Sequence, residues 1–276
     1  MIKNIVVNLS VGEAADAATA YAVSAAAAFE AHLAGIAFAY EPSMAEFGYE
    51  GVAVSLIEAE RTKATEAADA AIAKFEEAAR RHGLSAESRR IDASFAIAGE
   101  QFALIARRFD LAVVTQAEPR KVVPEGMIIE AALFDSGRPV LAVPYIQRNG
   151  LTLNRAMVCW DGSRNAARAA NDALPFLAHA KTVEVVMVTA ERVKSDEMPG
   201  ADIAHHLARH GLNVSVQRIV AVETDVANTI LSYAADAGTD FLVMGGYGHS
   251  RLREFVLGGA TRGILGAMTV PVLMSH

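Results

Sequence analysis

The sequence predicts an α/β protein made of two tandem domains, each a parallel sheet with helices on both faces. Short apolar, β-branched segments alternate with longer helical segments along the whole chain, which is the pattern of βαβ units. The pattern runs once as far as a short polar break at residues 147–150 and then starts again. Matching segments recur in the two halves and indicate a repeated domain of roughly 140 residues. We therefore expect domains at residues 1–147 and 151–276.

In the first half, strands are expected where β-branched and apolar residues form short runs. Helices are expected where alanine and charged residues extend over longer stretches that end near glycine. Residues 85–91 alternate polar and apolar side chains, as an edge strand does. The expected strands are residues 5–7, 33–40, 85–91, 110–115 and 137–144, and the expected helices are residues 14–32, 50–82, 95–108 and 127–136.

The second half repeats this layout with a shorter segment before its third strand. Two pairs of segments match most clearly between the halves. His82-Gly83-Leu84 corresponds to His210-Gly211-Leu212, and Arg-Pro-Val before the last strand of the first half corresponds to Val-Pro-Val before the last strand of the second. The expected strands are residues 156–160, 183–188, 212–219, 240–244 and 270–274, and the expected helices are residues 164–179, 201–210, 224–237 and one that begins within 258–261.

Composition excludes several classes of protein. The chain is 53% hydrophobic and 21% charged, which is typical of a folded globular protein, and its net charge of −7 gives no support for a nucleic-acid partner. The single cysteine, Cys159, excludes an internal disulfide framework and fits a reducing cytoplasm. Residues 1–8 make a poor signal peptide, and the apolar stretch 19–40 contains Glu30 and His32, so it is read as a helix and a strand. We expect a cytoplasmic protein with no membrane partner.

Residues 241–262 hold the strongest functional signal. The apolar run at 241–244 ends in Gly245, Gly246 and Gly248, and a second pair, Gly258 and Gly259, precedes a helical pattern. Glycines at a strand exit allow a tight turn and close approach to a ligand, and a helix amino terminus offers free N–H groups to a phosphate. The stretch is neither a Walker A loop nor an amino-terminal GxGxxG loop, and we interpret it as a nucleotide-phosphate cradle.

An acidic residue is predicted to face this cradle. In open α/β sheets, ligands bind beyond the carboxyl ends of the strands where the strand order reverses, which here means between the first and fourth strands of a domain. In the second half those ends carry Asp161-Gly162-Ser163 and the glycines from Gly245 onward. Two structural readings stay open: the glycines serve only a tight turn, or Asp161 to Ser163 form only a turn and a helix N-cap.

These residues resemble the universal stress protein family of the tandem-domain type. The family pattern G-x-x-G, nine residues, G-[S/T] is met by Gly245, Gly248 and Gly258, whereas Gly259 stands where Ser or Thr is usual. The resemblance covers nearly the whole chain. It implies two flavodoxin-like, Rossmann-like domains, each with five parallel strands in the order 3-2-1-4-5, and binding of ATP or a related adenine nucleotide.

The resemblance also implies roles by position. Asp161 would contact ribose or help to hold a phosphate-bound Mg²⁺, and Val188 would meet adenine through its backbone. Met244 and Gly245 would flank the ribose. The phosphates would meet a set of small residues around the helix start: Gly248, Gly258, Gly259, Ala260 and Thr261.

The first half lacks this site in sequence. Asn8-Leu9-Ser10 replaces Asp-Gly-Ser, and residues 115–119 replace the glycine cradle. Glu118 would repel phosphate, and Pro119 has no N–H to offer. The first half is thus read as a degenerate copy, and one nucleotide per chain is expected. By resemblance, residues 140–143 and 270–274 would pair within one chain as a pseudo-dimer, with a further homodimer and an unidentified protein partner as expectations.

The resulting hypothesis is a stress-response regulatory or sensing module that binds ATP in its C-terminal domain. No nucleophile–base pair is evident in the sequence, so catalysis is expected to be at most slow ATP hydrolysis. The alternatives are a non-nucleotide protein-interaction module and a weak ATP hydrolase. His206 and His210 have the spacing of two metal ligands but no evident third, Cys159 is expected to be a buried small side chain, and Trp160 either lines the pocket or packs beneath it.

Overall fold

Each half of the chain contributes five parallel strands whose order reverses once. The computed structural model describes residues 1–12, 16–41, 54–118, 124–147, 149–189, 200–221, 225–246 and 259–276. It divides the chain into two units, Met1–Leu151 and Thr152–His276.

In the first unit the strand order is β3-β2-β1-β4-β5, with every pairing parallel. This is the predicted order 3-2-1-4-5, and the alternating residues 86–93 form an edge strand of this unit, as expected. The strands are β1 Asn4–Asn8, β2 His32–Tyr40, β3 Ala86–Ala93, β4 Leu111–Thr115 and β5 Val140–Val143, and the helices are α1 Ala17–Phe29, α2 Val54–Arg81, α3 Phe95–Ala106 and α4 Glu125–Asp135.

The second unit has the same order, read as β10-β9-β6-β7-β8, again with parallel pairings. The predicted fold class is therefore confirmed in both halves. The strands are β6 Arg155–Cys159, β7 Thr182–Thr189, β8 Val214–Val220, β9 Phe241–Gly245 and β10 Val272–Ser275, and the helices are α5 Arg164–Asp172, α6 Leu174–Leu177, α7 Ala201–Arg209, α8 Val226–Asp236 and α9 Ala260–Ala267.

The internal repeat extends to individual hydrogen bonds. Asp110, just before β4, accepts the backbone N–H groups of Lys3 at 2.8 Å and Asn4 at 3.0 Å. Asp240, just before β9, accepts those of Asn154 at 2.9 Å and Arg155 at 3.0 Å. Each carboxylate satisfies the first N–H groups of the central strand of its unit, which would otherwise lack a ladder partner.

Apart from the edge strands β3 and β8, the strands are buried on both faces because helices cover the two sides of a parallel sheet. In the first unit, Gly35 in β2 makes room for the fully buried Phe75 of α2, since a Cβ on Gly35 would lie 2.7 Å from the Phe75 ring. In the second unit, the buried rings of Phe176 and Phe241 stack with their centroids 5.1 Å apart.

One predicted helix is wrong in its extent. Residues 164–179 do not form a continuous helix: α5 ends at Asp172, and the short α6 follows with Pro175 in its first turn. Proline has no N–H for an i→i−4 bond and clashes with the preceding turn, so the helix breaks and restarts there. Within the described ranges, no helix is long and apolar enough to cross a membrane.

Candidate functional site

The reversal of strand order in the second unit creates a crevice at the carboxyl ends of its central strands. Strand β6 pairs with β7 on one side and with β9 on the other. Chain connections leave these two neighbours in opposite directions, which opens a crevice at this end of the sheet. Asp161 follows β6, and Gly245 and Gly246 stand at the end of β9.

The segment from Asp161 to Ser163 is a turn followed by a helix cap. The Asp161 carboxylate accepts the N–H of Ser163 through Oδ1 at 2.9 Å, and Gly162 supplies the positive φ of 75° that this turn requires. The Ser163 hydroxyl accepts the N–H of Ala166 at 3.1 Å and caps α5. The structural reading of this segment is therefore confirmed. It leaves the exposed Oδ2 of Asp161 with no hydrogen-bond partner in the part of the chain that the structure describes.

Gly245 is required by packing between β9 and α5. A Cβ on Gly245 would lie 2.6 Å from the backbone N of Ala166 and 2.7 Å from the carbonyl carbon of Asn165. Both contacts are shorter than real Cβ atoms tolerate, so only glycine fits against the amino end of this helix. The absence of a side chain at this position serves the protein's own helix as well as any ligand.

Asn165 joins the same helix end to the exit of β9. Its side chain is 3% exposed, and Nδ2 donates to the carbonyl oxygen of Gly246 at 2.6 Å and lies 2.9 Å from Nδ1 of His276. Gly246 also donates its N–H to the carbonyl of Ser275 at 2.8 Å. These bonds hold the first residues after β9 in place, and sequence reasoning missed the role of Asn165.

A cavity of about 100 Å³ lies in the crevice. Five of the predicted nucleotide-binding residues line it, namely Asp161, Val188, Met244, Gly245 and Ala260. Sequence reasoning did not assign a role in the pocket to its other wall residues: Cys159, Trp160, Ala166, Val186, Val226 and Ile230. Trp160, for which two placements were left open, is among the residues that line the cavity.

The lining is mainly aliphatic. Val186 and Val188 are alternate residues of β7, so they share the face that looks onto the cavity. Val226 and Ile230 stand one turn apart on α8, and Val226 remains 37% exposed. A flat apolar group in the crevice would cover these side chains.

Cys159 is less buried than its position inside a strand suggested. It is the last residue of β6, half-buried, and part of the cavity wall. Burial of the thiol, with a smaller contribution from the nearby Asp161 charge, raises the pKa of Cys159 to about 12. The group is therefore a neutral thiol at physiological pH.

The amino end of α9 opens into the same cavity. Gly259 occupies the N-cap position, its carbonyl accepts the N–H of Gly263 at 3.1 Å, and Ala260 reaches the cavity wall. The first N–H groups of a helix have no partner inside the helix and attract anions. Thr261 is instead 3% exposed and lies outside the cavity lining. The predicted phosphate contacts Gly248 and Gly258 fall outside the described residues.

In the corresponding corner of the first unit, polar side chains of the described residues lie within hydrogen-bond distance of one another or of backbone N–H groups. Ser10 Oγ lies 3.1 Å from Thr115 Oγ1, and both residues, with Asn8, are buried. Asp16 caps α1 and also accepts the N–H of Ser10 at 3.1 Å, and burial raises the pKa of this carboxyl. An acid is thus present here, although it comes from the start of α1 and is bonded to the protein's own groups.

His206 and His210 lie at the carboxyl end of α7. The rings of His206 and His210 lie with centroids 5.0 Å apart in an edge-to-face arrangement. Over the residues that the structure describes, no group of three or more His, Cys, Asp or Glu side chains could hold a metal ion.

Comparison with known proteins relates the second half of the chain to a known family. The sequence profile of the universal stress protein family matches residues 152–276. The chain is 26% identical over 154 residues to the universal stress protein Slr1230 of Synechocystis sp., and the alignment covers 54% of this chain and 50% of that protein. The chain thus matches about half the length of this curated relative.

Solved structures share the fold. A universal stress protein from Archaeoglobus fulgidus DSM 4304 has a TM-score of 0.68 and 15% identity, and the match covers 99% of this chain and 97% of that one. The functionally unknown protein PA1789 from Pseudomonas aeruginosa PAO1 has a TM-score of 0.58 and 16% identity, with 99% and 92% covered. The family profile thus matches the second unit, Thr152–His276, and the solved structures show that the whole chain shares their fold.

Proposed function

We propose that residues 152–276 bind an adenine nucleotide, ATP with Mg²⁺, and that the chain acts in the cytoplasm as a stress-response regulatory module. The observation that carries the proposal is the cavity at the strand-order reversal. It combines aliphatic walls, an exposed carboxylate and a helix amino terminus. A largely apolar lining with a few convergent polar groups is typical of small-molecule sites. The volume of about 100 Å³ is below their usual range of roughly 300–1,000 Å³ and suits one part of a nucleotide, such as the base.

The apolar walls suit a purine base. Val186, Val188, Val226 and Ile230 present aliphatic carbons from β7 and α8. Covering them would remove apolar surface from water at about 25 cal/mol per Å². The single tryptophan, Trp160, stands at the same wall. The base would therefore be held mainly by area burial, with its orientation set by backbone groups at the end of β7.

The polar end of the cavity suits the phosphates. The amino end of α9, reached through Ala260, offers N–H groups and the positive end of a helix dipole. Gly259 supplies no hydroxyl, which forgoes one side-chain bond of about 0.5–1.5 kcal/mol. Asp161 would hold a Mg²⁺ that neutralises the phosphate charge beside the carboxylate. The donor set fits the group without requiring a further cationic side chain.

We infer one nucleotide per chain. In the first unit, the corner that corresponds to the crevice contains the Ser10–Thr115 hydroxyl pair and the capping carboxylate of Asp16. Ser10 and Thr115 are buried and lie within hydrogen-bond distance of each other, and the half-buried Asp16 accepts backbone N–H groups. A phosphate entering there would have to displace them and approach a carboxylate.

Trp160 allows a direct test. Titration with MgATP is expected to change the Trp160 emission with saturation, and nucleotide released on denaturing the purified protein should be identified by mass spectrometry. Val226→Glu puts a charge on the cavity wall and should weaken binding at least about tenfold, which corresponds to about 1.4 kcal/mol. The matched control is Val220→Glu, since Val220 is 38% exposed, close to the 37% of Val226, but lies outside the cavity lining.

The outcome separates this function from a second candidate, a protein-interaction module without nucleotide. That candidate is favoured by the packing of Gly245, which accounts for one glycine of the motif with no ligand. No emission change, no thermal shift at millimolar MgATP and no copurified nucleotide would overturn the nucleotide proposal. Equal loss of binding in both glutamate variants would also contradict the assigned cavity.

A further inference from the structure

A second groove lies in the first unit, at the end of the strands opposite to the one where ligands of open α/β sheets bind. Its volume is about 500 Å³, within the range of small-molecule sites. It is lined near the amino ends of β1, β2 and β3 by Asn4, His32 and Glu87, and by Ile105, Arg108 and Phe109 from the end of α3 and the turn that follows.

Strand register puts the groove's sheet residues on one face. Asn4 pairs with His32, Ala34 with Glu87, and Ile36 with Arg89. Residues paired across strands, and residues two apart along a strand, point to the same side of a sheet. The buried Ala34 and Ile36 therefore form the floor.

The groove carries two arginines that the protein itself does not neutralise. Arg89 and Arg108 are exposed, and neither side chain has an ion pair or hydrogen bond with any residue that the structure describes. Neighbouring arginines differ: Arg90 binds the Asp69 carboxylate at 2.7 Å, and Arg107 donates to the carbonyl of Asp135 at 3.0 Å.

The remaining charge in the groove is partly compensated. Glu87 lies 3.7 Å from Nε2 of His32, and its effect on an anion is offset when that ring is protonated. The two guanidinium groups exceed the single carboxylate, although the whole chain has a net charge of −7. A local excess of positive charge over an apolar floor selects an anion with an apolar body.

We propose that this groove binds a small organic carboxylate of aromatic or branched apolar type. Arg89 and Arg108 bind the carboxylate, and Ile36, Ile105 and Phe109 contact the apolar part. The volume suits a molecule of roughly ten to twenty non-hydrogen atoms, rather than a folded partner. The site is formed within the first unit and does not depend on the nucleotide proposal.

The test uses the full chain labelled with ¹⁵N and naphthalene-2-carboxylate as the probe. Addition of the probe is expected to shift the amide resonances of Arg89 and Phe109 with saturation, and uncharged 2-naphthamide should bind at least about tenfold more weakly, or 1.4 kcal/mol. The Arg89→Gln/Arg108→Gln variant should lose at least tenfold in affinity. The control Lys181→Gln/Arg209→Gln makes the same charge change at exposed positions of the second unit and should bind as the wild type does.

Three results would overturn the proposal. These are resonance shifts located elsewhere in the chain, equal binding of the carboxylate and the amide, and unchanged affinity in the double glutamine variant. A preserved amide spectrum in the variants shows that they fold. Saturating MgATP should leave the affinity for the probe unchanged, and competitive displacement would assign the probe to the cavity of the second unit.

Discussion

Gly245→Ala tests whether the first glycine of the motif serves packing. The added Cβ would stand 2.6 Å from Ala166 N, which is 0.8 Å short of the 3.4 Å at which ordinary contact begins. The opposing atoms are backbone at the start of α5, so neither a rotamer change nor a flexible side chain relieves the clash. Overpacking of this kind costs about 1–3 kcal/mol.

The assay is thermal unfolding of the ligand-free protein followed by Trp160 emission. The single tryptophan lies in Thr152–His276, so the signal reports on the unit that carries the substitution. A loss of about 2 kcal/mol should lower its Tm by about 6–12 °C for a unit of this size. The matched control is Gly266→Ala in α9, where no heavy atom lies within 4 Å of the new Cβ. That change should be neutral or stabilise by up to about 1 kcal/mol, because alanine favours a helix.

An unchanged Tm for Gly245→Ala would refute the packing argument. Close approach of a ligand would then be the remaining reason for a glycine at this position. Equal shifts for Gly245→Ala and Gly266→Ala would also refute it, because the structure gives the two positions opposite surroundings.

Three further predictions follow from side-chain environments. The pKa of Cys159 is raised to about 12, whereas a thiol in urea has a pKa of about 8.5, so iodoacetamide at pH 8 should alkylate Cys159 at least about 100-fold more slowly in the native protein than in urea. The alkylation rate of the native protein should rise with pH from 7 to 10 without reaching a plateau. Similar rates in the native and the urea-unfolded protein would contradict the environment assigned to this thiol. Asn165→Ala removes a buried amide and should cost about 1–3 kcal/mol in urea unfolding, whereas exposed Asn171→Ala should be near neutral. Phe75→Ala should lower the free energy of unfolding of the first unit by about 3–5 kcal/mol, measured by circular dichroism, because Phe75 is fully buried. The control Phe95→Ala should lower it by less than about 1.5 kcal/mol, because Phe95 is 37% exposed.

The fold was predictable because its signals are local and written twice. Alternating strand and helix segments predict parallel βαβ units, and the recurring aspartates, Asp110 and Asp240, mark the same position before the fourth strand of each unit. The structure gives both the same partners, the first N–H groups of the central strand. The strand order itself came from the family resemblance, since no local pattern states which neighbour a strand will pair with.

The lining residues that were predicted lie near strand ends or, in the case of Ala260, at the start of a helix. Asp161 follows a strand, and Val188 and Met244 are each the second-last residue of one, so their convergence on one crevice follows from topology. Val226 and Ile230 were missed because α8 reaches the crevice through tertiary packing, which its own amphipathic pattern does not reveal. The break at Pro175, by contrast, had a clear signal in the sequence, because proline disfavours a helix interior.

The structure changes which residues support a nucleotide site. Packing against α5 explains why residue 245 is a glycine, and capping of α5 explains why residue 163 is a serine. Neither residue is therefore evidence for a ligand site. Exposed Val226 lines the cavity, and the amino end of α9 reaches it at Ala260. Among the described residues, neither has such an internal explanation, and exposed apolar surface costs free energy. The case for adenine nucleotide therefore rests on the walls of the cavity more than on the glycines that first suggested it. For that reason, Val226→Glu is a sharper test of binding than any substitution of Gly245.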